Sequence, residues 1–365
     1  MTADSSMENL IEILSNATEY AQLPVRHNED QINSDLAKQV PIEVNKTSYD
    51  SAHTKTHLLL QAHFCQMQLP STDYHTDTKS VLDQAIRILQ AMLDTVADEG
   101  WLVTSLRVVM LIQMVIQGRW WHDNTLLTLP NFMPYHIHCL RPREGTAKKK
   151  GFPELKAPIE TLPELMAICD GKFDPLEAML GDEMSPQHQE QVYQVLCRLP
   201  QISVTLTIKG WWEGGTGQKE ERPVSTKYQG GRRQESDCIQ VHADQEYALQ
   251  VDLHRLNRLK KTDSKAHAPR FPKSKDEGWF LIVGDVENKE MIALKRIGYI
   301  RNRSSATLAM FMPETVGRVI YTLYIMSDSY LGLDQQYDIC LDVIPKSIEA
   351  QVNTELAAEL DDMNV

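Results

Sequence analysis

The sequence lacks the signatures of most common enzymes. It has no Gly-x-x-x-x-Gly-Lys-Ser/Thr loop and no Asp-Glu-x-His or Asp-Glu-Ala-Asp box, so neither a phosphate cradle nor its metal-binding acid is in view. Gly-x-Ser-x-Gly and His-Glu-x-x-His are also missing, which removes the usual serine-hydrolase and zinc-protease patterns. Catalysis by this chain on its own is therefore not expected, and no cofactor is implied. Cysteine is sparse. Its six residues, Cys65, Cys139, Cys169, Cys197, Cys238 and Cys340, are scattered without a Cys-x-x-Cys pair, which predicts reduced thiols and no disulfide framework.

Long apolar runs are missing as well. The best one, VVMLIQMVIQG from Val108, is broken by Gln113 and Gln117 and falls short of the roughly 20 residues that cross a bilayer. The opening MTADSSMENL has neither the basic nor the apolar region of a secretory leader, so the expected location is nucleus and cytosol, away from membranes. Positive charge is in deficit, with 37 Lys and Arg against 50 Asp and Glu and a net charge of -13. That balance argues against indiscriminate coating of nucleic acid and leaves local basic clusters as the only route to phosphate. What is present suits a folded protein: 42% hydrophobic and 24% charged residues, over 365 residues, support more than one compact unit.

The period of the apolar residues predicts an α+β multidomain chain. Residues 8–135 read as a helical bundle. Its best helix is capped by Asp77 or Thr78, carries an apolar face of Val81, Leu82, Ala85, Ile88, Leu89, Met92 and Val96, and stops at Gly100 in a left-handed turn. Residues 136–158, rich in proline and holding the AKKKG cluster, read as a linker. Residues 159–200 read as a small helical subdomain, of helix-hairpin-helix kind. From 201 to 348 the period alternates, giving seven or eight short strands and predicting a β-sandwich of immunoglobulin or fibronectin type. Residues 349–365 form an acidic tail. Asp-Glu-Gly-Trp occurs at Asp98 to Trp101 and again at Asp276 to Trp279. One copy reads as a helix stop and the other as a turn before a strand, so a duplicated catalytic site is rejected.

Candidate binding residues are cationic or polar. Lys79, Asp83, Arg87, Gln90 and Asp94 form a stripe on the long helix. It is either a solvated face holding an Asp83–Arg87 pair or a face laid along a nucleic-acid backbone. The loop APRFPKSKDEGWF adds Arg270, Lys273 and Lys275, the linker adds Lys148 and Lys149, and Arg119 follows the apolar helix. His53, His57, His136, His138 and Cys139 read as surface or core residues rather than metal ligands. The pairs Trp120-Trp121 and Trp211-Trp212 read as packing rather than base stacking.

The segments LPVRHNED, KTHLLLQAHF, LDQAIRILQAMLD, GWLVTSLRVVMLIQMVIQGRW, HADQEYALQVDL and PRFPKSKDEGWFLIVGDVENKEMIALKRIGYIRN resemble the Sec sixty-three domain of Ski-two-like helicases. The resemblance runs from about Glu8 to the end and is greatest to a carboxyl-terminal copy of that domain. It implies a non-catalytic accessory module that packs on RecA-like helicase domains and helps close a ring around single-stranded RNA or DNA. It also implies partner subunits of the complex in which such a helicase works, and roles of the whole relative in alkylation repair and ribosome quality control. Residues 78–98 are similar to the family's ratchet helix, which implies phosphate contact through Lys79 and Arg87. Archaeal relatives place an aromatic near the position of Arg87, so base stacking by this helix is not carried over. The chain carries no RecA domains and is expected to be either a piece of a longer helicase or a free-standing scaffold.

Overall fold

The computed structural model describes residues 1–44, 48–142, 153–212, 219–225, 238–257 and 264–346. Five helices come first: α1 (Met7–Ser15), α2 (Glu29–Ala37), α3 (Ala52–Phe64), α4 (Thr72–Asp98) and α5 (Leu102–Gln117). The long helix α4 begins earlier than its sequence suggests. Ser71 is the cap, with extended backbone and a hydroxyl that accepts the Tyr74 N–H, while Asp77 and Thr78 lie buried within the helix. Gly100, at φ 69°, turns the chain into α5, and Gly118, at φ 60°, ends α5. Three short helices follow, α6 (Leu162–Cys169), α7 (Asp174–Leu180) and α8 (Pro186–Arg198). The first opens on a capping box between Thr161 and Glu164 and the last on Ser185, each with a proline in its first turn.

The strands are β1 (Ile202–Gly210), β2 (Glu220–Val224), β3 (Ile239–His242), β4 (Glu246–Arg255), β5 (Trp279–Asp285), β6 (Glu290–Ile297), β7 (Arg303–Phe311), β8 (Gly317–Ser327) and β9 (Gln335–Ile344). They form a four-stranded sheet in the order β2-β1-β4-β7 and a five-stranded sheet in the order β3-β9-β8-β5-β6. All neighbours are antiparallel except β3 and β9, which run parallel. Strands β3 and β4 meet at Asp244, whose φ of 57° makes the turn. The parallel register sets Ile239 opposite Leu341, and the preceding pair, Cys238 and Cys340, is joined as a disulfide. The expectation of six reduced thiols is thus corrected. Two cysteines 102 residues apart carry no local spacing signal, and only the sheet brings them together.

Strand β5 is buried along its whole length because both its faces are covered. Trp279, Leu281 and Val283 point into the core between the two sheets. Phe280 and Ile282, with Met326 of β8, point the other way into the core of the helical bundle. Each such side chain withdrawn from water contributes about 1.5–3 kcal/mol. Helix α5 supplies the polar part of the same junction. Gln113 Nε2 donates to the Ser327 carbonyl at 2.7 Å and to the Asp334 carboxylate at 3.0 Å. One turn on, Gln117 Nε2 donates to the Ser329 carbonyl at 2.6 Å and to that of His267 at 3.1 Å. The two glutamines that interrupt the apolar run are therefore the anchors between helices and sheet.

Candidate nucleic-acid interface

The start of α4 is fixed by a buried charge cluster. Lys55 of α3 is fully buried, and its Nζ donates to the Pro24 carbonyl (2.8 Å), Glu29 (2.6 Å) and Asp77 (2.7 Å). Arg26 closes the cluster with bonds to Glu29 at 3.0 Å and Asp77 at 2.7 Å. Burial pushes both carboxyls up, but the hydrogen bonds from Lys55 and Arg26 outweigh it and hold both below their ordinary values. Removing one member would strand a buried charge, so this cluster fixes how α4 leaves α3.

Beside it lies a groove of about 470 Å³ between the end of α3, the first turns of α4 and the loop 269–272. Its floor includes His63 and Gln66, one wall carries His75 and Lys79, and the other carries Arg270 and Phe271. Burial pushes His63 down to about 4, so its ring is neutral and Nε2 donates to the Val115 carbonyl at 2.9 Å. Gln66, at φ 55°, ends α3 in the left-handed region and donates to the Gly118 carbonyl at 3.1 Å. Gly118 is needed for a second reason beyond its own φ: a Cβ there would sit 3.0 Å from Cδ of Arg270, whose stem crosses it. Lys79 and Arg270 are exposed, and among the described residues neither forms an ion pair. Two cations whose charge is not already matched thus face one groove.

The rest of the polar stripe is divided between two neighbours. Asp83 pairs with Lys273 at 2.5 Å, and Arg87, with 70% of its side chain exposed, reaches Glu19 at 3.7 Å. The expected Asp83–Arg87 pair gives way to these two partners from elsewhere in the fold. The Gln90 amide faces the guanidinium of Arg296, and with its oxygen assigned to that side, as two donors there require, it accepts at 2.9 and 3.1 Å. Lys79, Asp83 and Gln90 therefore follow the border between α4 and the sheets, a line of about 16 Å at the helical rise. Arg270, Lys273 and Arg296 reach that line from the strand side. Arg296 was not among the sequence candidates, since nothing in β6 reveals which residue will meet α4. It also stacks over Phe280, 5.5 Å from the ring centre.

Other candidates have structural employment. Lys275 has 13% of its side chain exposed and donates to Asp328 at 2.7 Å. Arg119 is half-buried and donates to the Leu127 carbonyl at 2.7 Å, and burial lowers its pKa. Both were expected to meet phosphate, and both are instead committed to the protein's own acceptors. Lys148 and Lys149 lie outside the described residues. His136 is buried, accepting the Met133 N–H at Nδ1 and donating from Nε2 to the Glu183 carbonyl. No grouping of His, Cys, Asp and Glu able to hold a metal occurs among the described residues. Trp120 is buried and donates to Sγ of Cys65, whereas Trp121 is 48% exposed.

A helical layer laid on one face of a two-sheet unit, with a cation-lined border between them, is the architecture found here, and the chain belongs to the Sec63 Brl domain family, which it matches over residues 1–340. It is 54% identical over 356 residues, 97% of its length, to activating signal cointegrator 1 complex subunit 3 of Gallus gallus. It is 51% identical over 370 residues, 99% of its length, to the Homo sapiens protein of that name. The DExH-box ATP-dependent RNA helicase DExH14 of Arabidopsis thaliana is 34% identical over 339 residues, 92% of the chain. The chain spans 16% of the length of the first two relatives and 13% of the third. Of the segments that carry the likeness, LPVRHNED and KTHLLLQAHF contain Arg26, Glu29 and Lys55, the buried cluster that sets α4.

Proposed function

We propose that this chain is a non-catalytic accessory module of a Ski2-like helicase, and that single-stranded RNA or DNA runs along the border between α4 and the sheets. The observation that carries this reading is the convergence of Lys79 and Arg270, both without an ion pair among the described residues, on one groove. An Arg fork grips a phosphate through two parallel bonds and a Lys acts as a point charge, so the two together suit a backbone rather than a base sequence. Lys273 and Arg296 extend the line by exchanging their present partners for phosphate. The two-sheet unit, read as an immunoglobulin-like sandwich, docks the RecA-like helicase domains and other subunits of a cointegrator complex. Work in alkylation repair or ribosome quality control, in nucleus and cytosol, belongs to this same proposal, and the relatives' names support only its helicase part.

The test is fluorescence anisotropy of a labelled single-stranded RNA over a salt series, with the wild-type chain and a Lys79→Glu/Arg270→Glu variant. Loss of two phosphate contacts should shallow the salt slope by about 1.4, at roughly 0.7 per contact on a single strand. An unchanged slope and affinity would count against the groove. The second reading is a protein-interaction scaffold that never touches nucleic acid. The net charge of -13 and the internal pairing of Lys275 favour it, and it predicts no RNA binding even at low salt.

A further inference from the structure

The groove that Lys79 and Arg270 share holds more than charge. Its lining also includes Met67, Leu69, Leu82 and Phe271, an apolar surface for which a phosphate backbone has no use. Leu82 is 2% exposed and belongs to the bundle core. Met67, Leu69 and Phe271 are half-buried, packing against that core and lining the groove as well. Phe271 stands on a stiff loop. Its N–H donates to the Ala268 carbonyl at 3.1 Å, and Pro269 and Pro272 restrict the backbone on either side. The start of the loop is held from two directions, by Gln117 on the His267 carbonyl and by the Tyr330 hydroxyl, which accepts the His267 N–H at 3.0 Å. The groove's 470 Å³ falls within the range of about 300–1,000 Å³ usual for small-ligand sites.

We propose, resting on the strand path of the preceding subsection, that this groove takes one nucleobase of the bound strand, stacked on Phe271. The phosphate next to that base lies between Lys79 and Arg270. A nucleotide unites the two properties that the lining demands. An uncharged ligand would leave the two cations unmatched, and a ligand without a flat apolar part would leave Phe271 and Met67 unused. Stacking on an aromatic ring is tolerant of sequence, because every base has a π-face, so Phe271 adds affinity without reading which base is present. The aromatic is held in place before the strand arrives, and little side-chain freedom is lost on binding. Phosphate contact thus sets the path of the strand, and the stacked base sets its register along α4.

The experiment measures, by fluorescence anisotropy on the full chain, a labelled uridine strand of about ten nucleotides and the same strand with abasic sites in place of its bases, over a salt series. The wild-type chain should bind the uridine strand about 5- to 150-fold more tightly, the range for one stacked base, with the same salt slope for both. Phe271→Leu keeps an apolar side chain against the core and removes the ring. It should bring the two strands to equal affinity and leave the slope unchanged. Lys79→Glu/Arg270→Glu should instead shallow the slope for both strands, so loss of the base pocket and loss of the phosphate path are read separately. Equal affinity of the wild-type chain for the two strands, or a preference that survives in Phe271→Leu, would overturn the pocket and leave the path standing. Absence of binding to either strand at low salt would overturn both. The comparison of strands on the wild-type chain needs no variant, so it decides even where Phe271→Leu disturbs the fold.

Discussion

Asp98-Glu99-Gly100-Trp101 and Asp276-Glu277-Gly278-Trp279 border opposite ends of one strand. At one end of β6 the Gly100 carbonyl accepts the Met291 N–H at 2.8 Å and Trp101 bridges to Glu290; at the other, Trp279 pairs with Ile297. Their surroundings differ completely. In the first copy Asp98 and Glu99 are exposed, and a Cβ added at Gly100 would meet nothing tighter than the Met291 oxygen, at an ordinary contact distance of 3.9 Å. In the second, Glu277 is 3% exposed and binds Arg255 at 3.0 Å, while the Trp279 indole donates to the same carboxylate. Gly278 donates to Asp328, and a Cβ in its place would sit 2.5 Å from an Asp328 oxygen. Identical residues are a helix stop in one place and a buried polar centre in the other, because burial decides whether a carboxylate is solvated or must be paired.

The largest break in that comparison should come from removing the carboxylates. Glu277→Ala leaves Arg255 buried without its partner and should cost about 3–5 kcal/mol in urea unfolding. Glu99→Ala should fall within about 0.5 kcal/mol of wild type, as exposed substitutions do. Equal losses would show that the two sites are alike after all.

Acid should separate the helical side from the strand side. Burial pushes His57 down to about 4 from an ordinary 6.5, so it stays neutral in the folded chain while the unfolded chain takes up a proton. Its stabilising contribution is complete above about pH 6.5 and is lost as pH falls toward 4, about 3 kcal/mol in all. Glu29 and Asp77, held low, add to that loss at lower pH. Glu277 runs the other way: burial raises its pKa against the pull of Arg255, so the folded state gains from protonation first. Urea titrations near pH 7 and pH 5 should show the drop in wild type and a smaller one in His57→Gln. A slope unchanged by that substitution would remove His57 from the account.

The smallest contrast concerns the glycines. Gly278→Ala must displace a carboxylate fixed by Lys275, Ser329 and the backbone, and should cost about 2 kcal/mol. Gly100→Ala meets only the Met291 oxygen, at ordinary contact distance, and should cost about 1 kcal/mol, from the left-handed backbone alone. Thermal melts of the two variants would resolve that order, and the reverse order would contradict the geometry around Asp328.

Elements with a strong local signal were legible in the sequence. The apolar face of α4, its stop at Gly100 and the change to an alternating period from residue 201 each rest on nearby residues. What escaped depends on residues far apart. Asp77 and Thr78 have the residue types of a cap and Ser71 is the cap, because Asp77 is buried against Lys55 inside the helix. Gln113 and Gln117 read as blemishes in an apolar helix, since their acceptors lie more than 140 positions away. In the candidate interface, Lys79 and Arg270 are candidates by charge, but only the fold separates them from Lys275 and Arg119, whose charges are spent internally. Arg296 had no signal of its own.

Strand β5, covered on both faces, also governs how the molecule can be dissected. A piece cut to contain only the strands would bare Phe280, Ile282 and Met326 as one contiguous oily surface, and a piece of helices alone would bare the complementary face. Neither half is a sound reagent, and activities assigned to fragments ending between α5 and β1 would report on aggregation. The chain should instead melt in one cooperative transition, with the helices and the strands losing structure together.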